Sequence, residues 1–117
     1  MPQGVKRSLR VAELLKRELS RIIYNEIKDP GIGELSITEV QVSDDLRVAK
    51  VYFASLDAEK KREKTLESLK KASSFIRSKL GEATYLKFVP ELRFQYDKGI
   101  DHSIKIEQIL HSLQNKS

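Results

Sequence analysis

The feature that most constrains the fold is a run of apolar residues at helical spacing near the amino terminus. From Ser8 onwards the apolar residues recur at spacings of three and four, at Val11, Leu15, Leu19, Ile22, Ile23 and Ile27. This pattern predicts an amphipathic helix from Ser8, as N-cap, to about Ile27. Asp29-Pro30-Gly31 then ends the helix, because proline cannot continue the backbone hydrogen bonds. A helix with a single apolar face needs another element to cover that face.

Two strands are predicted to follow as a hairpin. Residues 35–42 alternate between apolar and polar, but the apolar phase changes within the stretch, which predicts a β-bulge near Glu39. Residues 47–56 are rich in β-branched and aromatic residues. Ser43-Asp44-Asp45 lies between the two stretches and has the composition of a tight turn.

The next segment has helical spacing in two parts. Asp57 is a plausible cap for a first part that runs through Leu66 and Leu69. The second part contains Phe75, Ile76, Leu80 and Ala83. Between them, Ala72-Ser73-Ser74 offers two hydroxyls that compete for backbone hydrogen bonds, so we expect a kink or a break there, although one continuous helix is the alternative.

A third strand and a closing helix complete the predicted order. After Pro90, the residues Leu92, Phe94 and Tyr96 share one face of an alternating stretch, which predicts a half-buried strand. Asp101 can cap a final helix whose inner face carries Ile106, Ile109, Leu110 and Leu113.

These elements predict an α+β fold of one domain over residues 1–117, with residues 1–6 and 114–117 frayed. The order is α-β-β-α-(kink)-α-β-α, and the helices pack on one face of a three-stranded sheet. At 117 residues the chain is long enough for one sizeable core.

Several classes of function find no support in the composition. The chain has no cysteine, its glycines form no phosphate-binding loop, and His102 and His111 lack the spacing of a metal pair on one helix. No apolar run approaches the roughly 20 residues of a membrane-spanning helix, and the first residues do not resemble a secretory signal. We therefore expect a cytoplasmic protein that is not an enzyme and needs no metal or cofactor.

Positive charge is concentrated in two segments. The net charge is +5, from 22 Lys and Arg against 17 Asp and Glu. Residues 1–30 carry seven positive and four negative charges, and residues 59–89 carry nine and four. Segregation of this kind favours a polyanionic partner such as RNA, although a solvated charged surface is the simpler alternative.

The first predicted RNA-binding segment lies on the amino-terminal helix. Its cations are Lys6, Arg7, Arg10, Arg17 and Arg21, most of which fall along one stripe of the helix. Such a stripe could follow phosphates. Equally, Glu13 and Glu18 could pair with its arginines across a turn, which would leave an ordinary solvated face.

The second predicted RNA-binding segment surrounds the expected kink. A break there would free backbone N–H groups and two hydroxyls at a helix N-terminus, which favours an anion site. The alternative is an ordinary kink among solvated lysines. The residues assigned to RNA contact in this segment are Lys70, Lys71, Ser73, Ser74, Arg77, Lys79 and Lys87.

Four aromatic residues on the predicted strands, Tyr52, Phe53, Phe94 and Tyr96, could in principle stack on bases. For Phe53 and Phe94 we favour core packing, because both follow the apolar alternation of their strands.

Five short strings occur together in a fixed order. They are Arg10-Val11-Ala12-Glu13, residues 26–33, residues 42–46 leading into 49–52, residues 72–77, and residues 89–92 with Phe94 and Asp97. Together they resemble the ribosome-binding factor A family, a family of bacterial small-subunit assembly proteins, over about residues 7 to 113.

The resemblance implies a type II KH-like fold, whose order of elements agrees with the order predicted above. RNA usually lies against a Gly-x-x-Gly loop between the paired helices of a KH domain. The resembled family has an Ala-x-Gly kink there, and this chain departs from it at the third position of Ala72-Ser73-Ser74.

The resemblance also implies a function. It implies a protein that binds free small ribosomal subunits through their rRNA, acts late in subunit maturation, supports processing of small-subunit rRNA and contributes to cold adaptation. We expect a monomer, because the charge pattern gives no reason for a larger assembly. Ribosomal proteins or an assembly GTPase are further partners that it suggests. The alternatives are a KH-like module that acts mainly through protein contacts and a small hydrolase built on Asp44, Asp45 or His102.

Overall fold

The computed structural model describes residues 6–27, 35–55 and 62–98. Five elements lie in these ranges. They are the helix α1 (Arg7–Glu26), the strands β1 (Leu35–Val42) and β2 (Val48–Ser55), the helix α2 (Arg62–Ala83) and the strand β3 (Glu91–Tyr96). The expected α+β class is confirmed. The predicted cap at Asp57 and the closing helix from Asp101 lie outside the described residues.

Helix α1 begins one residue before its predicted cap. Lys6 is the N-cap and makes no side-chain capping bond, while its carbonyl accepts hydrogen bonds from the N–H groups of Leu9 and Arg10. The prediction of Ser8 as N-cap is therefore wrong. Ser8 lies on the same face as Val11 and Leu15 and is buried with them, so packing of this face draws it into the helix.

The sheet has the order β1-β2-β3, with β2 in the centre. Strands β1 and β2 are antiparallel, and their register shifts between Ile37 and Glu39, which confirms the predicted bulge. Strand β3 runs parallel to β2. A parallel neighbour needs a long crossover connection, and α2 lies within this connection.

The residue at the bulge links the two edge strands. The Thr38 hydroxyl donates a hydrogen bond of 2.6 Å to the Asp97 carboxylate at the end of β3. The backbone N–H of Asp97 donates to the carbonyl of Phe53 on β2. The bulge thus points a side chain of β1 toward the far strand, and all three strands are joined at this end of the sheet.

Helix α2 is one continuous helix, so the prediction of a break at Ala72-Ser73-Ser74 is wrong and the alternative of one continuous helix is confirmed. A bend within the helix stays a prediction. The buried residues Thr65, Leu69, Ile76 and Leu80 follow one another at spacings of four and seven, and so share one face across the expected junction. Burial of this uninterrupted face outweighs the weak competition of two serine hydroxyls for backbone hydrogen bonds.

Both helices pack against the same face of the sheet. The core is formed by the apolar faces of α1 and α2 with alternate residues of the strands, among them Ala49, Val51, Phe53, Leu92 and Phe94. The expectation that Phe53 and Phe94 serve the core is confirmed. An ion pair of 3.4 Å between Lys79 and Glu26 also joins the carboxyl-terminal part of α2 to the end of α1.

Candidate nucleic-acid interface

A basic cleft of about 590 Å³ lies at one end of the sheet. Its walls come from the start of α1, the β1–β2 turn, the outer part of α2 and the segment that leads into β3. Four cationic residues line it, namely Arg7, Arg47, Arg77 and Lys87. These residues come from four different parts of the chain, so the cleft is a product of the tertiary fold.

The β1–β2 turn forms one wall and is held by its own hydrogen bonds. The Ser43 hydroxyl donates to Asp45 Oδ1 at 2.7 Å, and the Arg47 backbone N–H donates to the same oxygen at 3.1 Å. Leu46 has a φ of 62°, a left-handed conformation that closes the turn. The Arg47 carbonyl accepts a hydrogen bond of 2.8 Å from the Glu91 N–H, which fixes the turn to β3.

These bonds have an electrostatic consequence for Asp45. The hydrogen bond from the Ser43 hydroxyl, followed by the one from the Arg47 N–H, holds the pKa of the Asp45 carboxyl below its usual value. The carboxylate therefore keeps its negative charge at neutral pH. It also attracts the nearby Arg47, so it balances part of the positive charge of the cleft.

We expect replacement of Ser43 by alanine to raise the pKa of Asp45, because the largest stabilising contact of the carboxylate is removed. A lowered pKa stabilises the fold above the pKa of unfolded aspartate, and this contribution is lost as the pH falls through the folded pKa. The variant should therefore lose less stability on acidification. NMR titration of the Asp45 carboxyl tests this. Ser36→Ala on β1 is the control, and an unchanged pKa in Ser43→Ala would contradict the assignment.

The segment between α2 and β3 forms another wall of the cleft. The Arg77 guanidinium donates a hydrogen bond of 2.9 Å to the Val89 carbonyl, and the Thr84 hydroxyl donates one of 2.7 Å to the Leu80 carbonyl. The side chains of Leu86 and Val89 pack against the core. This loop is thus anchored at both ends, and Arg77 holds the segment while lining the cleft.

Three of the predicted RNA-contacting residues meet in this cleft. Arg7 comes from the first basic segment, whereas Arg77 and Lys87 come from the second. Lys6 and Arg10 are exposed on either side of Arg7. The structure therefore brings the two basic segments of the sequence together at one place.

The other predicted contacts lie away from the cleft. At ~1.5 Å per residue, Arg17 and Arg21 are about 15 and 21 Å along α1 from Arg7. Lys70 and Lys71 are exposed one to two turns before Arg77 on α2. As RNA contacts these residues stay predictions.

Several of these outlying cations already have acidic partners. Arg21 pairs with Glu18 at 3.0 Å, and Lys71 pairs with Glu67 at 3.3 Å. Lys79 lies 3.4 Å from Glu26 and 3.7 Å from Glu82. Their charges are thus partly balanced before any phosphate approaches.

The anion site expected at Ser73 and Ser74 loses its structural premise. It required a helix N-terminus with free N–H groups, but both residues lie inside the continuous helix α2, where the N–H groups bond along the helix. Ser74 is exposed and Ser73 is partly buried. Contact of their hydroxyls with RNA stays a prediction.

Arg47 and Phe88 line the cleft but are absent from the sequence-based set. Arg47 lies two residues after the Ser43-Asp44-Asp45 turn, and its place beside a turn was the available signal. Phe88 stands between Lys87 and Val89-Pro90. An aromatic residue beside a cation in a segment that joins a helix to a strand was the signal there.

Within residues 6–27, 35–55 and 62–98, no cluster of three or more histidine, cysteine, aspartate or glutamate residues could hold a metal ion. In the same ranges no helix is both long and apolar enough to span a membrane.

Comparison with known proteins places the chain in a family. A family model described as ribosome-binding factor A matches residues 7–110. Ribosome-binding factor A of Staphylococcus carnosus is 47% identical over 110 residues, which cover 94% of this chain and 96% of the relative. The protein of the same name from Halothermothrix orenii is 42% identical, with 95% and 91% of the two chains covered.

Solved structures agree with the sequence relatives. The crystal structure of ribosome-binding factor A from Thermus thermophilus superposes with a TM-score of 0.68 and 26% identity, over 76% of this chain and 94% of that one. A homology model of the Thermus protein, fitted into a cryo-EM map of a 30S complex, gives a TM-score of 0.64 and 26% identity, with 74% and 91% covered. The KH-like fold that the resemblance implied is thereby confirmed, and the chain belongs to the ribosome-binding factor A family.

Proposed function

We propose that this protein is a non-catalytic assembly factor that binds free small ribosomal subunits through their rRNA. It acts late in maturation of the subunit and supports efficient processing of the small-subunit rRNA. Two findings support the proposal, namely family membership and the likeness to a Thermus protein fitted into a map of a 30S complex. The basic cleft supplies the surface for RNA.

The observation that carries the proposal is the meeting of four cations from separate parts of the chain at one cleft. Two carboxylates, Asp45 and Glu91, also line it. Asp45 is engaged within its turn, and Glu91 accepts a hydrogen bond of 3.0 Å from the Arg93 Nε. Four cations against two carboxylates leave the cleft with a net positive charge. The arginines and the lysine can neutralise phosphates and release counterions, which is the main source of affinity for RNA.

The first test is sedimentation of tagged protein with purified 30S subunits at low and high salt. We expect co-migration at low salt that weakens as salt rises. A cleft variant with Arg7→Gln, Arg47→Gln and Lys87→Gln should stay at the top of the gradient. Arg77 is kept because it holds the Val89 carbonyl.

The control removes the same number of charges elsewhere. Lys16, Lys50 and Lys64 are exposed and do not line the cleft, so their replacement by glutamine should leave co-migration nearly unchanged. In cells that lack the native gene, the control variant should restore processing of small-subunit rRNA and the cleft variant should not. Equal binding by the two variants would reject the cleft and favour contacts with ribosomal proteins instead.

A further inference from the structure

We infer that Phe88 is a stacking platform for one unpaired nucleobase of the bound RNA. This inference rests on the proposed function, since it names the kind of RNA that the same cleft takes. The cleft should therefore bind RNA that has an unpaired base, in a single-stranded segment, a loop or a bulge, and not a continuous duplex.

Phe88 is exposed to an unusual degree for an apolar aromatic residue. Its side chain is 79% exposed although it belongs to a segment whose neighbours Leu86 and Val89 pack against the core. Burial of the Phe88 ring would stabilise the fold, and this stabilisation is absent because the ring is exposed. Aromatic side chains on which bases stack are a common feature of surfaces that bind single-stranded nucleic acid.

The position of Phe88 is fixed by its surroundings. The carbonyl of the next residue, Val89, accepts the hydrogen bond from Arg77, and Pro90 after it is buried. On the other side, the Leu86 N–H donates a hydrogen bond of 3.3 Å to the Thr84 hydroxyl. A ring presented by an anchored loop loses little conformational entropy when a ligand stacks on it.

The charges around Phe88 select the ligand. The ring shares the cleft with Arg7, Arg47, Arg77 and Lys87, a surrounding that favours an anionic ligand over an apolar peptide. A nucleotide offers both a phosphate for the cations and an aromatic face for the ring. The base must be unpaired, because in a duplex its faces are already covered by its neighbours.

The test compares binding of a single-stranded, adenine-rich RNA of about ten nucleotides, within the span that such surfaces occupy, with binding of a duplex of similar length. Fluorescence anisotropy gives the affinities, and a 2-aminopurine in the single strand reports stacking. Phe88→Ala should weaken single-strand binding roughly 5- to 100-fold and abolish the change in 2-aminopurine fluorescence. The salt dependence should stay the same, since no charge is removed.

Three variants make the test specific. Phe88→Leu keeps an apolar side chain without an aromatic face and should lose as much affinity as the alanine variant, whereas Phe88→Trp should retain it. Tyr85→Ala is the matched control, because Tyr85 is 72% exposed in the same loop but does not line the cleft. Its affinity should stay near native.

Unchanged single-strand binding in Phe88→Ala, native affinity in Phe88→Leu, or an equal loss for the duplex would each overturn the stacking site. None of these results would contradict the proposed function, because the proposed binding of rRNA depends on the cations of the cleft. Conversely, 30S binding that survives in the cleft variant would reject the cleft as the surface that binds rRNA in the subunit, while the effect of Phe88→Ala on binding of the short RNA could still be measured.

Discussion

Replacing Phe53 with alanine should lower the free energy of unfolding by about 3–5 kcal/mol. Phe53 is fully buried on the central strand β2 and lies opposite Ile37 of β1. Its ring meets that of Tyr96 on β3 edge to face, with the centroids 5.1 Å apart. The substitution leaves a cavity where all three strands meet and removes a favourable aromatic contact.

Urea denaturation followed by circular dichroism measures this loss. Small domains are stable by roughly 5–15 kcal/mol, so the variant should lose a large share of its stability and melt at a clearly lower temperature. Phe88→Ala is the matched control, because the same atoms are removed from an exposed ring, and it should change stability by only about 0.5 kcal/mol. Similar losses in both variants would contradict the placement of Phe53 in the core.

Removing three cations from the cleft should flatten the salt dependence of RNA binding. At ~0.7 per contact for single strands, the variant with Arg7→Gln, Arg47→Gln and Lys87→Gln should lose about two units of log–log slope. If the native protein and the variant bind equally at 1 M salt, a difference of two units in slope makes the variant bind roughly 100-fold more weakly than the native protein at 0.1 M salt. Titration of labelled single-stranded RNA over a series of salt concentrations measures both quantities.

The exposed lysines of α2 give a separate comparison. If Lys70 and Lys71 also contact phosphates, as the sequence predicts, replacing both with glutamine should make the slope of log affinity against log salt less steep by about 1.4 units. If RNA lies in the cleft alone, the slope should not change. A cleft variant with a native slope would show that its cations do not contact phosphate.

The local elements could be predicted because their signals lie in neighbouring residues. The period of Val11 and Leu15 identified α1, and the phase change near Glu39 located the bulge, since each pattern reports which side of its own element is buried. The alternation of Leu92 and Phe94 identified the inner face of β3 in the same way. The family was also accessible, because the motifs that carry it are short strings of adjacent residues.

Where two local signals competed, the sequence alone did not decide between them. Adjacent serines at Ser73 and Ser74 indicated a break, while the spacing of Leu69 and Ile76 was compatible with one helix. Packing against the rest of the core settled the matter, because burial of several large side chains outweighs two hydroxyl interactions with the backbone. The same reasoning applies to Ser8, which capping chemistry placed outside α1 and core packing placed inside it.

The chain by itself therefore determined its helical and strand periods, its basic character and its family. Only the tertiary structure decided that β3 lies parallel to β2 and that Arg7, Arg47, Arg77 and Lys87 share one cleft with Phe88. The physical reason is that periodicity is a property of neighbouring residues. The position of one element beside another depends on which distant faces are buried together, and that choice is made by the whole core.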